Sequence, residues 1–325
     1  MHAIEISGDE LLWSERPDPE PAAGEVVIRV AAAGVNRADL LQRAGHYPPP
    51  PGASDILGME CSGTIVAVGP GVTGHQPGDA VCALLAGGGY AELVAVPQAQ
   101  VLRVPDGVSL IDAAALPEAA CTVWSTMVTA ARATAGEWVL VHGGGGGIGS
   151  FAIQLAVARG LSVAVTAGSD EALQRCAALG ASVLVNYRTD DFVYVVLGAT
   201  DGRGVDVILD VIGAKYLSRN VSALADGGRL AIIGMQGGVK AELDLGALLS
   251  KRRAVIGTTL RSRPATGPGS KADIVADVDA QVWPLVESGM VRAAIGARVP
   301  IVEADRAHEL MQSDPPGGKI LLTVG

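Results

Sequence analysis

The chain has 325 residues, of which 49% are hydrophobic and 3% aromatic, and its formal net charge is −10. The length is enough for about two domains, and the aliphatic composition suits buried parallel strands. The negative charge argues against nonspecific binding to nucleic acid or to an anionic membrane. No apolar run is long enough to span a bilayer. No basic segment followed by an apolar one lies near residue 1, so we expect no secretory signal and a cytoplasmic protein.

Short apolar runs separated by glycine and proline fill residues 1 to about 118. The runs at 25–31, 63–69 and 89–96 are typical of β-strands, and the Gly-Pro and Pro-Gly pairs beside them are typical of turns. Strands at this spacing predict a compact and mostly antiparallel β domain.

From about Thr122 the pattern changes to alternating strands and helices. Strands are predicted at 138–141, 162–166, 183–185, 205–209, 229–233 and 254–258. The helices between them are predicted to begin near Gly147, Asp170, Asp190, Lys215 and Asp244. Six strands with intervening helices predict a doubly wound parallel sheet, which holds its ligand beyond the carboxyl ends of the strands.

The pattern changes again after a loop at 261–269. A helix is predicted at about 272–288, followed by two short strands at 297–302 and 319–324. These strands resemble those of the first region more than those of the parallel sheet. We therefore expect the chain to return and complete the first domain.

A run of five glycines follows the first strand of the parallel sheet. Glycines at 144, 146 and 149 have the spacing of a dinucleotide-binding loop: the first allows a tight turn, the second lets the backbone approach a pyrophosphate, and the third lets helix and strand pack closely. The helix N-terminus offers free N–H groups and a partial positive charge to phosphates. A plain flexible loop is the alternative, but the strand before the run and the helix after it favour a nucleotide site. The predicted contacts are Gly144, Gly145, Gly146, Gly147, Ile148 and Gly149.

Cysteine and histidine show no metal-binding pattern. The four cysteines lie far apart without a CxxC pair, and we expect them to be reduced and buried. The five histidines have no ligand spacing, so no metal site is predicted. We interpret His142, at a strand end, as satisfied by backbone groups, and Asp210 as structural.

Several segments resemble the zinc-free medium-chain dehydrogenase/reductases and, within them, the quinone oxidoreductase family, above all its tumour-suppressor-inducible branch and bacterial relatives. The longest segment, 36–60, has the sequence NRADLLQRAGHYPPPPGASDILGME. Shorter ones lie at 116–124, 167–169, 186–188, 208–213 and 260–263. The resemblance covers nearly the whole chain. It implies a GroES-like β-rich catalytic domain at 1–120 and 261–325, a Rossmann domain with a doubly wound parallel sheet at 121–260, and a homodimer.

Two positions in the longest segment bear on zinc. Zinc alcohol dehydrogenases of the same superfamily carry a cysteine where this chain has Asn36 and a histidine where it has Met59. An amide and a thioether cannot replace a thiolate and an imidazole as zinc ligands. The resemblance therefore implies hydride transfer, without a metal, to an acceptor that is already electrophilic.

The resemblance also implies roles for individual residues. Asn36 and Tyr47 would be catalytic, with Asn36 near the nicotinamide ribose and the Tyr47 hydroxyl directed at the substrate. Asn36 could instead cap the following helical turn, and Thr122 could be an N-cap rather than a cofactor contact. Lys319 would either reach the cofactor or be a solvated lysine. The predicted nicotinamide neighbours are Gly234, Met235 and Leu260.

The choice of cofactor depends on the end of the second strand of the parallel sheet. An NAD site places an acid there for the ribose hydroxyl, but this chain has Gly168 and Ser169. With Tyr187 and Arg188 they are predicted to hold the adenosine end, Ser169 and the Arg188 guanidinium donating to a 2′-phosphate. That favours NADPH over NADH.

Three residues beside this site oppose the preference for NADPH. Ala172 stands where relatives usually carry a phosphate-binding lysine, with Asp170 and Glu171 next to it. A carboxylate near the phosphate would weaken or reverse the preference. We expect the two acids to cap their helix and face away.

These observations lead to three hypotheses. The first is an NADPH-dependent quinone oxidoreductase that holds a small quinone between its two domains, with Tyr47 and water protonating the product. The second is an NADPH-dependent enoyl or 2-alkenal reductase acting on a conjugated carbonyl. The third is a sensor or scaffold without activity. A homodimer would form through strands 229–233 and 254–258 if they lie at the sheet edge.

Overall fold

The computed structural model describes residues 1–313 and 317–325, which form two units. The first unit comprises Met1–Cys121, Leu260–Gly289 and Ala293–Gly325, and the second comprises Thr122–Thr259 and Met290–Arg292. The short return of the chain to the second unit at 290–292 was not predicted from the sequence.

The strands follow one another along the chain as β1 (His2–Ser7), β2 (Glu10–Glu15), β3 (Glu25–Val35), β4 (Glu60–Val68), β5 (Ala80–Leu84), β6 (Leu93–Pro97), β7 (Val101–Arg103), β8 (Trp138–His142), β9 (Ser162–Ala167), β10 (Val183–Asn186), β11 (Val205–Asp210), β12 (Leu224–Ile232), β13 (Ala254–Gly257), β14 (Ile295–Pro300) and β15 (Lys319–Thr323).

The α-helices are α1 (Arg37–Arg43), α2 (Pro117–Val123), α3 (Gly147–Ala158), α4 (Asp170–Ala178), α5 (Phe192–Ala199), α6 (Leu217–Ala223), α7 (Leu245–Ser250), α8 (Lys271–Gln281), α9 (Trp283–Glu287) and α10 (Ala304–Ser313). A π-helical stretch, Trp124–Ala130, follows α2. Short 3₁₀ turns lie at Gln98–Gln100, Asp112–Ala115, Gly213–Tyr216 and Ile301–Glu303.

The first unit is built on a β-sheet in the order β14-β15-β3-β4-β5-β7, with β6 also paired to β3. Its pairs are antiparallel except for β14 with β15. Ile320 of β15 pairs with Val35 of β3, so the prediction that the chain returns to complete the first domain is confirmed. Val26, Ile28 and Ile65 belong to a fully buried aliphatic core beneath these strands.

The second unit contains a parallel sheet in the order β10-β9-β8-β11-β12-β13. Counted from its first strand this is the 3-2-1-4-5-6 order of a dinucleotide-binding fold, with the change of direction between β8 and β11. The predicted doubly wound sheet is therefore confirmed. Of the two strands predicted to lie at the sheet edge, β13 does so. The prediction was wrong for β12, which pairs with a strand on each side.

Capping side chains fix where the helices of the second unit begin. Ser169 accepts from the Ala172 N–H at 3.3 Å at the start of α4, and Asp191 accepts from the Val193 N–H at 2.9 Å. Helix α5 therefore begins two residues after the predicted Asp190. Lys215 lies in a 3₁₀ turn ahead of α6.

The helix predicted at 272–288 is two helices, α8 and α9. Pro284 lies in the first turn of α9, where its missing N–H leaves no bond unmade, and a proline cannot continue an α-helix that precedes it. Helix α10 was not predicted. Across 1–313 and 317–325 no helix is both long and apolar enough to cross a membrane.

Candidate functional site

The glycine loop between β8 and α3 contains a tight turn at Gly143, whose φ of +72° lies in the left-handed region. The turn was predicted at Gly144, one residue later. Gly144 is needed for a different reason: a Cβ there would lie 2.9 Å from Cys176 Sγ and 3.1 Å from Val165 Cβ. Gly144 thus lets the loop pack against β9 and α4.

Gly146 and Gly149 differ in what surrounds them. A Cβ on Gly146 would have Gly143 O at 3.6 Å and no other non-neighbouring heavy atom of the described residues within 4 Å. This side of the loop is therefore open. A Cβ on Gly149 would lie 2.3 Å from the same carbonyl oxygen, so only glycine fits there. Helix α3 begins at Gly147, and its first N–H groups have no partner within the helix. The loop fits a dinucleotide, because Gly146 leaves room for a pyrophosphate beside these donors.

The adenosine end was predicted at the carboxyl end of β9. A Cβ on Gly168 would lie 2.5 Å from the Tyr187 hydroxyl, so these two predicted residues are in contact. Arg188 is exposed, and its backbone N–H donates to Asn186 Oδ1 at 3.2 Å. Within the described part of the chain its guanidinium forms no hydrogen bond or ion pair. It is therefore available to an anion.

The two acids of α4 were expected to cap their helix and face away; Glu171 does accept from a first-turn N–H, but neither carboxylate faces away. Hydrogen bonds from its own backbone N–H and from the Ser169 hydroxyl hold the pKa of Glu171 below its usual value. Asp170 accepts from Asn186 Nδ2 at 3.1 Å. Glu171 thus stays beside Ser169, and Asp170 stays beside Asn186, which directly precedes Tyr187 and Arg188. Ala172 lies over the loop, since a Cβ on Gly145 would be 3.2 Å from its methyl group.

Gly234 and Met235 follow β12. A Cβ on Gly234 would lie 2.8 Å from Val211 O, so this glycine allows two loops at the carboxyl edge to pack closely. Met235 is 59% exposed. Their contact with a nicotinamide ring stays a prediction.

Asp210, at the end of β11, is structural as predicted. Its carboxylate is buried and accepts from the Ile212 N–H at 2.7 Å and the Gly213 N–H at 3.0 Å. Burial raises its pKa to about 6, against the effect of these two donors. The carboxylate therefore fixes the loop that follows β11.

His142 is also structural, but its partners are side chains rather than the backbone groups that we expected. Its Nε2 lies 2.7 Å from Asn220 Oδ1 and its Nδ1 lies 3.0 Å from Thr166 Oγ1. Burial lowers its pKa to about 4, so the ring is neutral and donates one of these bonds. All four cysteines are free and buried, as expected.

In the first unit, Asn36, Glu60 and Lys319 form a buried polar cluster. Lys319 pairs with Glu60 Oε1 and donates to Asn36 Oδ1 at 2.5 Å. Asn36 Nδ2 donates to the same Glu60 oxygen at 2.9 Å. Lys319 is 4% exposed and Glu60 is fully buried. The solvated-lysine alternative for Lys319 is therefore wrong, and the Asn36 amide has a fixed orientation.

Neighbouring backbone groups complete this cluster. A Cβ on Gly34 would lie 2.2 Å from Glu60 Oε1, so glycine leaves the space that the carboxylate occupies. Glu60 Oε2 accepts from the Glu118 N–H at 2.9 Å. Both carboxylate oxygens are thus hydrogen-bonded, as a buried charge requires.

The Asp39 carboxylate accepts hydrogen bonds from two backbone segments next to the cluster, one at Asn36 and one at Gly58. It accepts from the Asn36 N–H at 2.8 Å and the Gly58 N–H at 3.1 Å. Asn36 is at the N-cap position of α1, but its side-chain amide bonds to Lys319, Glu60 and the Gly34 carbonyl instead of capping the helix as the alternative interpretation held. The Tyr90 hydroxyl lies 3.3 Å from Asp39 Oδ2 and 3.3 Å from His308 Nε2. Burial raises the pKa of Asp39 to about 6 and lowers that of His308 to about 4.

Tyr47 is half-buried in the segment between α1 and β4. The Arg261 guanidinium lies 5.3 Å from its ring centroid and donates to its carbonyl oxygen at 3.2 Å. Leu260 is 7% exposed and belongs to the first unit. Thr122 lies inside α2, so its N-cap alternative is wrong.

Sequence reasoning missed Glu60, Asp39 and Arg261. Asp39 had a local signal, because an acid three residues after Asn36 matches a capping box. Glu60 and Arg261 act through partners distant in sequence, which no local pattern shows. Among the described residues no group of three or more His, Cys, Asp and Glu side chains could hold a metal.

Known proteins resemble the chain in both of its units. The family model "Alcohol dehydrogenase GroES-like domain" matches residues 22–106, and the model "Zinc-binding dehydrogenase" matches residues 147–274. A quinone oxidoreductase of Rattus norvegicus is 32% identical over 99% of this chain and 96% of its own length.

Solved structures agree with this result. A quinone oxidoreductase of Escherichia coli complexed with NADPH has a TM-score of 0.87 and 27% identity, with 99% of this chain and 98% of that one covered. An NAD-dependent alcohol dehydrogenase has a TM-score of 0.86 and 32% identity over the full length of both chains.

The fold and these matches define an oxidoreductase of the medium-chain dehydrogenase/reductase class, with a GroES-like unit and a Rossmann unit that serves a nicotinamide cofactor. Within that class the chain belongs to the quinone oxidoreductase family.

Replacing Lys319 tests whether the buried ion pair stabilises the first unit. Lys319→Met leaves the Glu60 carboxylate buried without a counter-ion, and we expect the free energy of unfolding in urea to fall by about 3–5 kcal/mol. Lys251→Met, which removes an exposed ion pair with Asp226, should change it by less than about 1 kcal/mol. The double variant Glu60→Gln/Lys319→Met should lose less than the sum of its single variants. Additive losses would contradict a direct interaction.

Proposed function

We propose that this protein is an NADPH-dependent quinone oxidoreductase that reduces its acceptor without a metal ion. The Asn36–Glu60–Lys319 cluster supports the proposal most directly. Position 36 presents an amide, and Met59 is a buried thioether, neither of which is a zinc ligand. The Lys319 ammonium already pairs with Glu60 Oε1, and Glu60 Oε2 accepts from the Glu118 N–H. This cluster can orient polar groups but does not provide the ligands that a Lewis-acidic zinc ion needs.

The glycine loop, Gly168, Ser169, Tyr187 and Arg188 would bind the cofactor, which supplies a hydride when bound. Asn36, with its orientation fixed by two neighbours, would hydrogen-bond near the nicotinamide ribose. Thr122, Met235, Leu260 and Lys319 are proposed as further cofactor contacts. Holding a donor and an acceptor in a reactive geometry can contribute about 7–11 kcal/mol at best.

The Tyr47 hydroxyl, together with water, would supply protons to the product oxygens. Because a reduced quinone becomes aromatic, this step needs little help from a protein acid. Reduction of a conjugated carbon–carbon double bond differs, since a carbon must then be protonated and a positioned donor matters more. The acceptor class and the importance of Tyr47 are therefore linked.

Steady-state kinetics with NADPH test the proposed acceptor. We expect kcat/KM for a small quinone such as 1,4-benzoquinone to exceed that for 2-hexenal. Tyr47→Phe should lower quinone turnover by much less than the ~100-fold expected on loss of an essential acid. Tyr194→Phe, at an 81% exposed position on α5, is the matched control. A higher kcat/KM for 2-hexenal than for the quinone, together with a large loss of turnover in Tyr47→Phe, would instead establish an enoyl or alkenal reductase.

We propose that the preference between NADPH and NADH is set by two opposing effects, attraction of the 2′-phosphate by Arg188 and repulsion by two carboxylates. An accessible guanidinium can bind a 2′-phosphate bidentately, while Asp170 and Glu171 repel it. The preference for NADPH should therefore exist but be modest.

Titration of both reduced cofactors into charge variants measures this balance. Arg188→Gln should weaken NADPH binding by about 10-fold or more, as expected for a hydrogen bond to a charged group, and NADH binding by less than about 3-fold. Glu171→Gln should tighten NADPH binding. Arg175→Gln, at the end of the same helix, is the control for net charge. Equal weakening of both cofactors by Arg188→Gln would rule out a phosphate contact.

A homodimer is proposed through the edge of the parallel sheet. Strand β13 has one unpaired edge, and Leu245 and Leu249 of the neighbouring α7 are 64% and 79% exposed. An open strand edge beside exposed leucines favours pairing with a second copy.

Light scattering should give the mass of two chains. We expect Leu249→Asp to yield single chains, whereas Val302→Asp, at a 59% exposed site in the first unit, should not. A mass of one chain for the unmodified protein would remove this proposal.

A further inference from the structure

A cavity of about 540 Å³ lies within the first unit, and its lining does not include Asn36, Glu60 or Lys319. The loop at 50–54, the loop at 86–88, strand β6 and the segment 261–265 form its walls. Its lining includes three basic side chains, Arg261, Arg263 and Lys271, and a single acidic one, Glu25. The volume is in the range typical of small-molecule sites.

Arg261 is 3% exposed, and its hydrogen-bond partners are all neutral groups. Its three nitrogens donate to Ala86 O at 2.8 Å, Tyr47 O at 3.2 Å and Gln42 Oε1 at 2.6 Å. In the part of the chain that the structure describes, no carboxylate lies within ion-pair distance of it. Burial lowers its pKa, against the opposite effects of Tyr47, Asp39 and Glu118. The guanidinium is therefore hydrogen-bonded, but no carboxylate among the described residues forms an ion pair with it.

Lys271, the first residue of α8, is likewise a buried cation without an ion pair in the described part of the chain. It is 5% exposed, and its ammonium donates to Arg263 O at 2.7 Å. No carboxylate among residues 1–313 and 317–325 pairs with it. Burial lowers its pKa, and so does the positive charge of Arg261, against the opposite effect of Glu118. Both cations line the same cavity, where their charges repel each other.

Two buried cations without a counter-ion are costly, because carbonyl dipoles replace only part of the lost hydration. Glu25, the acid that lines the cavity, accepts from the Ala22 N–H at 3.0 Å and forms no ion pair with either cation in the described part of the chain. Glu118 acts on both cations electrostatically but, within 1–313 and 317–325, is not ion-paired with them. An anion in the cavity would offset the repulsion and supply the ion pair that both cations lack among the described residues.

Gln100 gives an independent indication of a ligand. It lines the same cavity and is 4% exposed, and its Oε1 has no hydrogen-bond partner among the described residues. A buried acceptor of this kind is normally satisfied. The remaining walls include the aliphatic side chains of Ile56, Leu85 and Leu93.

We propose that this cavity binds a hydroxylated organic acid. The carboxylate would lie against Lys271 and Arg261, the hydroxyl group would donate to Gln100, and the apolar body would contact Ile56 and Leu93. The site goes beyond the proposed reaction, since it would be a second ligand site in the first unit. Because Arg261 also donates to the Tyr47 carbonyl, an acid bound there would act on the Tyr47 segment.

Calorimetric titration without cofactor or quinone tests the site independently of the proposed activity. The probe is 3-(4-hydroxyphenyl)propanoate, and its primary amide is the neutral control of the same shape. We expect one molecule of the acid to bind per chain, at least 10-fold more tightly than the amide. Inorganic phosphate should compete weakly, because it lacks the apolar body. Equal affinity for acid and amide, or phosphate binding as tight as the acid, would overturn the proposal.

Two variants separate the proposed contacts. Lys271→Met should weaken the acid at least 10-fold while leaving the amide unchanged, and Lys251→Met controls for net charge. Gln100→Leu should abolish the preference for this acid over 3-phenylpropanoate, which lacks the hydroxyl group, and this test stands even if Lys271→Met fails to fold. If neither variant changes affinity, the acid binds elsewhere and the proposal is wrong.

Discussion

The buried pairing of Lys319 with Glu60 is the interaction on which the polar centre of the first unit depends. Strand β15 pairs with β3, and β3 pairs with β4, so the start of β15, the end of β3 and the start of β4 meet at one place. Lys319, Asn36 and Glu60 occupy these positions. A buried carboxylate needs a counter-ion, and only this strand register provides one. The orientation of the Asn36 amide follows from it.

The fold was largely predictable because its signals are local. Strand β8, the glycine loop and the start of α3 at Gly147 were all evident in one short segment, since a tight turn and close packing require glycine there. Helix starts were displaced by one or two residues where a side chain such as Asp191 caps the backbone. The break between α8 and α9 was missed because Pro284 is tolerated in a first turn.

The site was predictable only in part, because its partners are far apart in sequence. Asn36 was a candidate, but its contact with Lys319 joins residues separated by 283 positions. The partners of His142 were assigned to the backbone, whereas Thr166 and Asn220 provide them. Glu171 was expected to face away, yet it stays beside Ser169 because that hydroxyl and its own N–H both donate to it. Such contacts depend on strand register and side-chain rotamers, which periodicity does not encode.

The discontinuous construction of the first unit has a consequence for biogenesis. The second unit is nearly contiguous, with all six strands of its parallel sheet encoded between Trp138 and Gly257, so it can collapse on the ribosome as soon as that stretch emerges. The sheet of the first unit cannot be completed until much later, because β15 is translated almost 300 residues after β3. Until then Glu60 has no ammonium beside it, and the nascent β3 has an unpaired segment. Contacts this distant in sequence slow folding, and the waiting intermediate is the species that chaperones would have to shield.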